Sequence, residues 1–482
     1  MIDLRPIVYV VGRILMVLAI LMLAPAVIDH RSGLANGSDF LKAAVITGFC
    51  GFALSLATVN GLGQGLNARQ AYLLTVAIWV LVPLFGALPL IFGAPHLRFI
   101  DGYFEAVSGI TTTGSTVIFG LDALPPGMNL WRGMLNWLGG LGIAFVAMIF
   151  LPVMRVGGMQ FFRTEGFDTF GKALPRATDI ARQLLAVYFG LTVICGATYA
   201  ALGMTELDAV VHAMSSIATG GFSPRDSSFN AYAGAGEYAG AFFLVVASLP
   251  YIRYVQLVNG QPAALWRDAQ VRSYLRIIAI SVGILTLWRV ASSDMALEPA
   301  FREALFNLIS ILSGTGFFTG SFTSWGGFAL VLAFLVGLIG GCSGSSSGAL
   351  SVFRVQVTGA ALLAQIRRID NPSRISPVKY DGRTVGEDVM GALMLYVTGY
   401  LLTMGVMSVA MTLTGVDMLT GLYAIWSSIG NIGYGIGPMM EENGTYRNFP
   451  DAAKGIMIVT MLMGRLGLLA MLVIVLPRFW QR

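Results

Sequence analysis

Charge is what this sequence has least of. Of its 482 residues, 11% are Asp, Glu, Lys or Arg and 56% are hydrophobic, with a mean hydropathy of +0.75. A soluble domain carries about 25% charged residues, so a water-soluble globule is excluded. Cysteine is nearly as rare. Cys50, Cys195 and Cys342 lie far apart and indicate neither a disulfide framework nor a metal site. The histidines, His30, His96 and His212, are scattered as well. A membrane-embedded enzyme would need metal ligands or paired aspartates within its spans. HExxH and GxGD patterns are absent and the apolar runs are nearly free of acids, which leaves that class without its chemistry. Nothing marks a cleavable leader: the run Ile7–Ile28 is longer than a signal core, and no small-residue cleavage site follows it.

What the chain does have is long apolar runs. A helix needs about 20 mainly apolar residues to cross a bilayer. Matching runs to that length predicts about ten spans, at 7–28, 41–62, 72–93, 130–153, 183–203, 237–257, 273–293, 326–353, 389–414 and 455–477. The expected fold is therefore an all-α integral membrane protein. Arginine and lysine concentrate in 154–182, 253–276 and 354–383, the last holding Arg354, Arg367, Arg368, Arg374, Lys379 and Arg383. With ten spans these segments fall on one side with both chain ends, and the positive-inside rule makes that side cytoplasmic. The same rule accounts for the net charge of +5 and the pI of 9.1 without a nucleic-acid partner. Arg253 and Arg289 stand at span ends, where their side chains are expected to snorkel to the surface.

Four segments on the opposite side are each too short to span and run directly into Thr, Ser and Gly. Aligned, they read Phe104-EAVSGITTTG, Val210-VHAMSSIATG, Phe306-NLISILSGTG and Tyr423-AIWSSIGNIG. Each has an apolar or aromatic residue ten positions before a shared glycine (Gly114, Gly220, Gly316, Gly433), and three have a serine six before it, Ser108, Ser310 and Ser427. The glycines are 106, 96 and 117 residues apart, a near-constant period that signals a repeat architecture. Short half-helices followed by irregular backbone are tolerated at membrane depth only where protein or a water-filled cavity satisfies their polar groups. Extended backbone can aim carbonyls at an axis and replace the water shell of a monovalent cation. Glycine permits the dihedrals, and the negative C-terminal end of each half-helix favours a cation. The alternative is that Thr-Gly and Gly-Gly pairs here are ordinary turns or packing contacts. A secondary carrier with inverted repeats would instead show broken helices in two halves.

Two further features sit on the cytoplasmic side of these loops. The eighth span is interrupted by Gly340-GCSGSSSG, too rich in Gly and Ser for a straight helix. An unwound stretch there could obstruct a pore; equally, it could be a small-residue packing face. Arg465 stands mid-span in MLMGRLGLLAML, where a cation must face a cavity or a partner. It could repel ions in the pathway or cap loop carbonyls, and the two roles are compatible.

The four repeats, TTTG at Thr111–Gly114, ATGGFS at Ala218–Ser223 and WLGGLG at Trp137–Gly142 resemble the TrkH branch of the Trk/Ktr/HKT cation transporters over nearly the whole chain. The helices at 7–28 and 41–62 match the two N-terminal extras of that branch. The resemblance implies an N-terminal extension at 1–68 and pore repeats at 69–156, 157–270, 271–385 and 386–482. It further implies a K+ uptake subunit of the bacterial inner membrane that binds K+ as cargo and no cofactor. Two copies are expected to pair as a homodimer and to meet a cytosolic, nucleotide-binding regulator of the TrkA kind. Carried over residue by residue, K+ would meet Thr111, Thr112, Thr113 and Gly114; Ala218, Thr219 and Gly220; Gly314, Thr315 and Gly316; and Asn431, Ile432 and Gly433. The fourth set lacks threonine, so it is expected to offer backbone oxygens only and to weaken discrimination against Na+. A Na+-conducting or cation-symporting relative stays open at this point. The family's intramembrane gate maps onto Gly340, Gly341, Cys342, Ser343, Gly344, Ser345 and Ser346, with Arg465 facing it. The lysine that follows this loop in the family is absent here; the nearest cation downstream is Arg354.

Overall fold

The computed structural model describes residues 2–61, 67–145, 177–373, 376–440 and 444–480. Apart from one two-residue hairpin, Lys379–Tyr380 with Arg383–Thr384, its regular elements are helical. Among the described residues, six helices are long and apolar enough to cross a membrane: Arg5–Arg31, Asn36–Ala57, Arg69–Phe92, Ala181–Ala201, Ala269–Ser292 and Glu387–Thr412. The other expected spans depart from single straight helices. The helix at 130–153 is described only as Pro126–Phe145, its remainder lying outside the described residues.

Three expected spans are broken. In 237–257, Ala235–Ala247 and Tyr251–Val258 meet at 90°. Pro250 stands at that corner, where a ring in place of N–H cannot continue a helix. In 326–353, the helix Gly327–Ile339 stops at Gly340 and a new one, Val352–Asp370, begins after an irregular stretch. In 455–477, Asp451–Leu466 and Leu468–Val475 are separated by Gly467 at φ 79°.

Two arginines correct the sequence-based expectations. Arg354 is not in a cytoplasmic loop. It lies in the first turn of Val352–Asp370, 7% exposed, with Nη1 donating to the Leu350 carbonyl at 2.7 Å and its guanidinium 4.1 Å from the Tyr396 ring. Arg253 does not snorkel: its Nε donates to Asp268 at 2.7 Å, in a site where Asp268 is 5% exposed. The carboxylate of Asp268, fifteen residues on, is close enough to take the charge that solvent would otherwise carry.

The N-terminal helices cross at small residues. A Cβ on Gly12 would meet the backbone of Gly51 and Ser55, and one on Gly51 would meet Gly12 and Met16, so only glycine allows this approach. Buried Asp29 then fastens the pair to the body, accepting from Asn36 Nδ2 and the Gly127 amide at 2.6 Å each. Around the centre stand four short helices, Phe99–Ile110, Glu206–Ala218, Leu297–Ser313 and Met418–Gly430, each followed by a loop that turns back toward the side it came from.

Candidate ion pathway

Each short helix ends the same way. The residue just past it adopts or adjoins a left-handed conformation, at Thr112 (φ 50°), Thr219 (φ 51°), Gly314 (φ 76°) and Asn431 (φ 51°). Two positions on, a left-handed glycine follows: Gly114 (φ 85°), Gly221 (φ 75°), Gly316 (φ 77°) and Gly433 (φ 81°). The glycine shared by the second loop is therefore Gly221, not Gly220 as the sequence alignment placed it. ATGG offers two adjacent glycines, and only the backbone dihedral separates them. With that one-residue shift the repeat becomes more regular. The serine six before the glycine is present in all four, with Ser215 joining Ser108, Ser310 and Ser427. The apolar residue ten before it becomes fully buried Val211 rather than Val210, which is 43% exposed. The serine carbonyl accepts from the residue preceding the glycine at 2.8–2.9 Å in every loop: Thr113, Gly220, Thr315 and Ile432.

These four loops close a ring. A Cβ on Gly114 would meet the Gly220 carbonyl; on Gly221, that of Thr315; on Gly316, that of Ile432; and on Gly433, that of Thr113. Each left-handed glycine thus faces the carbonyl just before the glycine of the next loop, and the order returns to its start. All four glycines line one cavity of about 400 Å³, shared with Arg132, Arg225, Asp226 and Met440. Thr111, Thr112, Thr113, Thr219 and Thr315 are buried at the ring, as are Ala218 and Ile432. The Asn431 side chain points sideways, its Nδ2 donating to Thr113 Oγ1 at 2.9 Å and to the Met461 carbonyl at 3.1 Å, so it ties the fourth loop to the first.

Behind the ring lie ion pairs. Arg132 and Glu105 are 1% and 0% exposed and meet at 2.9 Å. Arg132 also donates to the Ser223 carbonyl, which joins loops one and two. At the outer rim Arg225 bridges Asp208 and Asp122, and hydrogen bonds to those two carboxylates push its guanidinium still higher above its ordinary range. Glu237 binds Arg302 and accepts from Thr319 at 2.7 Å, and Lys454 binds Asp101 at 2.6 Å. Sequence reading missed these pairs. The signal was present as acids inside otherwise apolar half-helices, Asp101, Glu105 and Asp208, which burial forces into partnership.

On the other side of the ring, residues 340–351 pack beneath it. Gly340, Gly344, Ala349 and Ser351 have positive φ, a run no helix supports. The loop is held by the corner at Pro250: the amides of Cys342 and Ser346 donate to the Ser248 and Ala247 carbonyls, and the Tyr251 amide donates to Gly344. Tyr251 Oη lies 2.8 Å from Ser346 Oγ and donates to the Ile217 carbonyl. The Ser343 amide donates to Gln270, and Gly341 and Ser345 are enclosed in the same stretch. Arg465 Nη2 donates to the Ser346 carbonyl at 2.8 Å and to Thr112 Oγ1, so one cation connects this loop to the first loop of the ring. The structure thus brings the carried-over ring residues together, and the Gly/Ser stretch with Arg465 directly below them.

A model of the TrkH family, described as cation transport proteins, matches residues 37–482. The Trk system potassium uptake protein TrkI of Halomonas elongata is 36% identical over 483 residues, covering 99% of this chain and 97% of its own. The Trk system potassium uptake protein TrkH of Vibrio parahaemolyticus is 32% identical over 489 residues, covering 99% of each. The crystal structure of the potassium transporter TrkH from Vibrio parahaemolyticus superposes with a TM-score of 0.91 at 29% identity, over 99% of this chain and 100% of that one. This chain belongs to the TrkH family of cation transport proteins.

Proposed function

We propose that this protein takes up K+ across the bacterial inner membrane through the four-loop ring, with the Gly/Ser loop below it as the gate. The observation that carries the reading is the closed cycle in which each left-handed glycine faces a carbonyl of the next loop. Such a ring presents backbone oxygens from four sides to a dehydrated cation. In this reading the filter positions are Thr112-Thr113-Gly114, Thr219-Gly220-Gly221, Gly314-Thr315-Gly316 and Asn431-Ile432-Gly433. The residues before the glycines differ among the loops, which favours weaker rejection of Na+ than four identical loops would give. The chain divides into the extension and four pore repeats given above, with both ends cytoplasmic. The test is growth: the gene should restore growth in low-K+ medium to a strain lacking K+ uptake. Failure to do so despite membrane insertion would sink the assignment.

Arg465 holds the gate loop and opposes cations in the pathway. A unit charge a few ångströms from an ion costs several kcal/mol at an effective dielectric near 20. Arg465→Ala is therefore expected to raise 86Rb+ influx at least about tenfold, because both the loop tether and the repulsion are lost. Unchanged or lower influx would remove Arg465 from the gate.

Two copies are proposed to pair, and a cytosolic nucleotide-binding partner of the TrkA kind to dock on 354–388 and on 154–182, a segment mostly outside the described residues. Arg367 and Arg368 end the helix Val352–Asp370 as exposed cations on that face. Reversing both to Glu is expected to weaken partner binding in a pull-down, and undiminished binding would count against this docking face.

A further inference from the structure

Past each ring glycine the chain must leave the centre again, and what holds that outgoing limb differs from loop to loop. Nine positions before the ring glycines stand Glu105, His212, Asn307 and Ala424. The first three do one task with three side chains. Glu105 accepts from the Thr116 hydroxyl at 2.9 Å and the Val117 amide at 3.0 Å. His212 Nε2 lies 3.0 Å from Ser223 Oγ, while its Nδ1 lies 2.8 Å from the Asp208 carbonyl. A carbonyl only accepts, so Nδ1 carries the proton, and in the neutral imidazole Nε2 accepts from the serine. Asn307 Oδ1 accepts from the Thr319 amide at 3.2 Å and its Nδ2 donates to the Thr319 carbonyl at 3.1 Å. All three are buried to 0% exposure. Ala424 has no such group. Tyr446 stands there instead, donating its amide to the Thr116 carbonyl at 2.9 Å with its hydroxyl 3.4 Å from the Tyr434 carbonyl.

We propose that Glu105, His212 and Asn307 are positioning residues that set cation selectivity by bracing the outgoing limbs of the first three loops, and that the fourth limb depends on Tyr446 from outside its own half-helix. None of them reaches the ring axis, so each acts through the backbone it holds. A carbonyl ring discriminates between K+ and Na+ only if its oxygens resist closing on the smaller ion, or keep their number and direction around the larger one. Freeing a limb releases both. A buried polar group that loses its partner draws the backbone or water toward it, and that movement is transmitted to the glycine two or three residues away.

The inference rests on the proposed K+ filter, and its test separates the two. Wild type and the variants His212→Leu, Ser223→Ala and Asn307→Leu are reconstituted in K+-loaded liposomes. Inhibition of 86Rb+ influx is then titrated with external K+ and with Na+. The readout is the ratio of the two inhibiting concentrations, which a change in the amount of folded protein leaves untouched. Each variant is expected to narrow that ratio about fivefold, the equivalent of one lost hydrogen bond. Ser223→Ala removes a single oxygen and decides the matter if the leucine variants do not assemble. A wild-type ratio in Ser223→Ala or in a transporting Asn307→Leu overturns the proposal while leaving the filter standing. A wild type that does not prefer K+ removes the filter, and the braces with it.

Discussion

Serine in place of Gly221 or Gly316 is expected to abolish K+-selective influx and to narrow the preference for K+ over Na+ by at least tenfold. Both glycines have left-handed φ, 75° and 77°, where a side chain is strained by about 1–3 kcal/mol. Strain is the smaller part. The new Cβ would be driven into the Thr315 or Ile432 carbonyl of the neighbouring loop, the very oxygen the ring presents. Relief requires that carbonyl to swing away, so one substitution damages two quadrants. Displacing a carbonyl by a fraction of an ångström is enough to change which ion the ring fits. The measurement is 86Rb+ influx with K+ and Na+ as competitors. Wild-type selectivity in both variants would mean that the loops are packing elements.

Removing Glu105 should have the largest effect on stability. Its carboxylate and the Arg132 guanidinium are both buried, at 0% and 1% exposure. Taking away one member of such a pair leaves an uncompensated charge and costs about 3–5 kcal/mol. Glu105→Leu also strips the Val117 amide and Thr116 hydroxyl of their acceptor. A melting midpoint in detergent well below that of wild type is the expected outcome, with selectivity narrowed in whatever protein survives. Wild-type melting would show that the pair contributes nothing to holding loop one.

The membrane class and the repeats were legible in the sequence because both rest on pattern. Span length follows from bilayer thickness, and the four half-helices repeat at near-constant spacing. What escaped was decided by contacts between distant residues. The corner at Pro250 reads as one apolar run, yet it exists to offer the Ala247 and Ser248 carbonyls to the loop at 342–346, about a hundred residues on. Asp29 looks like a loop residue until the Gly127 amide is brought to it. Glu105 and Arg132 are 27 residues apart, in different elements. The second loop's register was lost because ATGG satisfies the alignment with either glycine. The serines could have settled it: requiring one six positions before every shared glycine selects Gly221 over Gly220.

The central claim is that four loops form one ring selective for K+. Its most direct test is 86Rb+ influx into K+-loaded proteoliposomes of the purified wild-type protein, titrated with external K+, Na+ and Li+. The account predicts that K+ suppresses influx at far lower concentration than Na+ or Li+. Equal suppression by Na+ would contradict it and make the ring a sodium or unselective pathway.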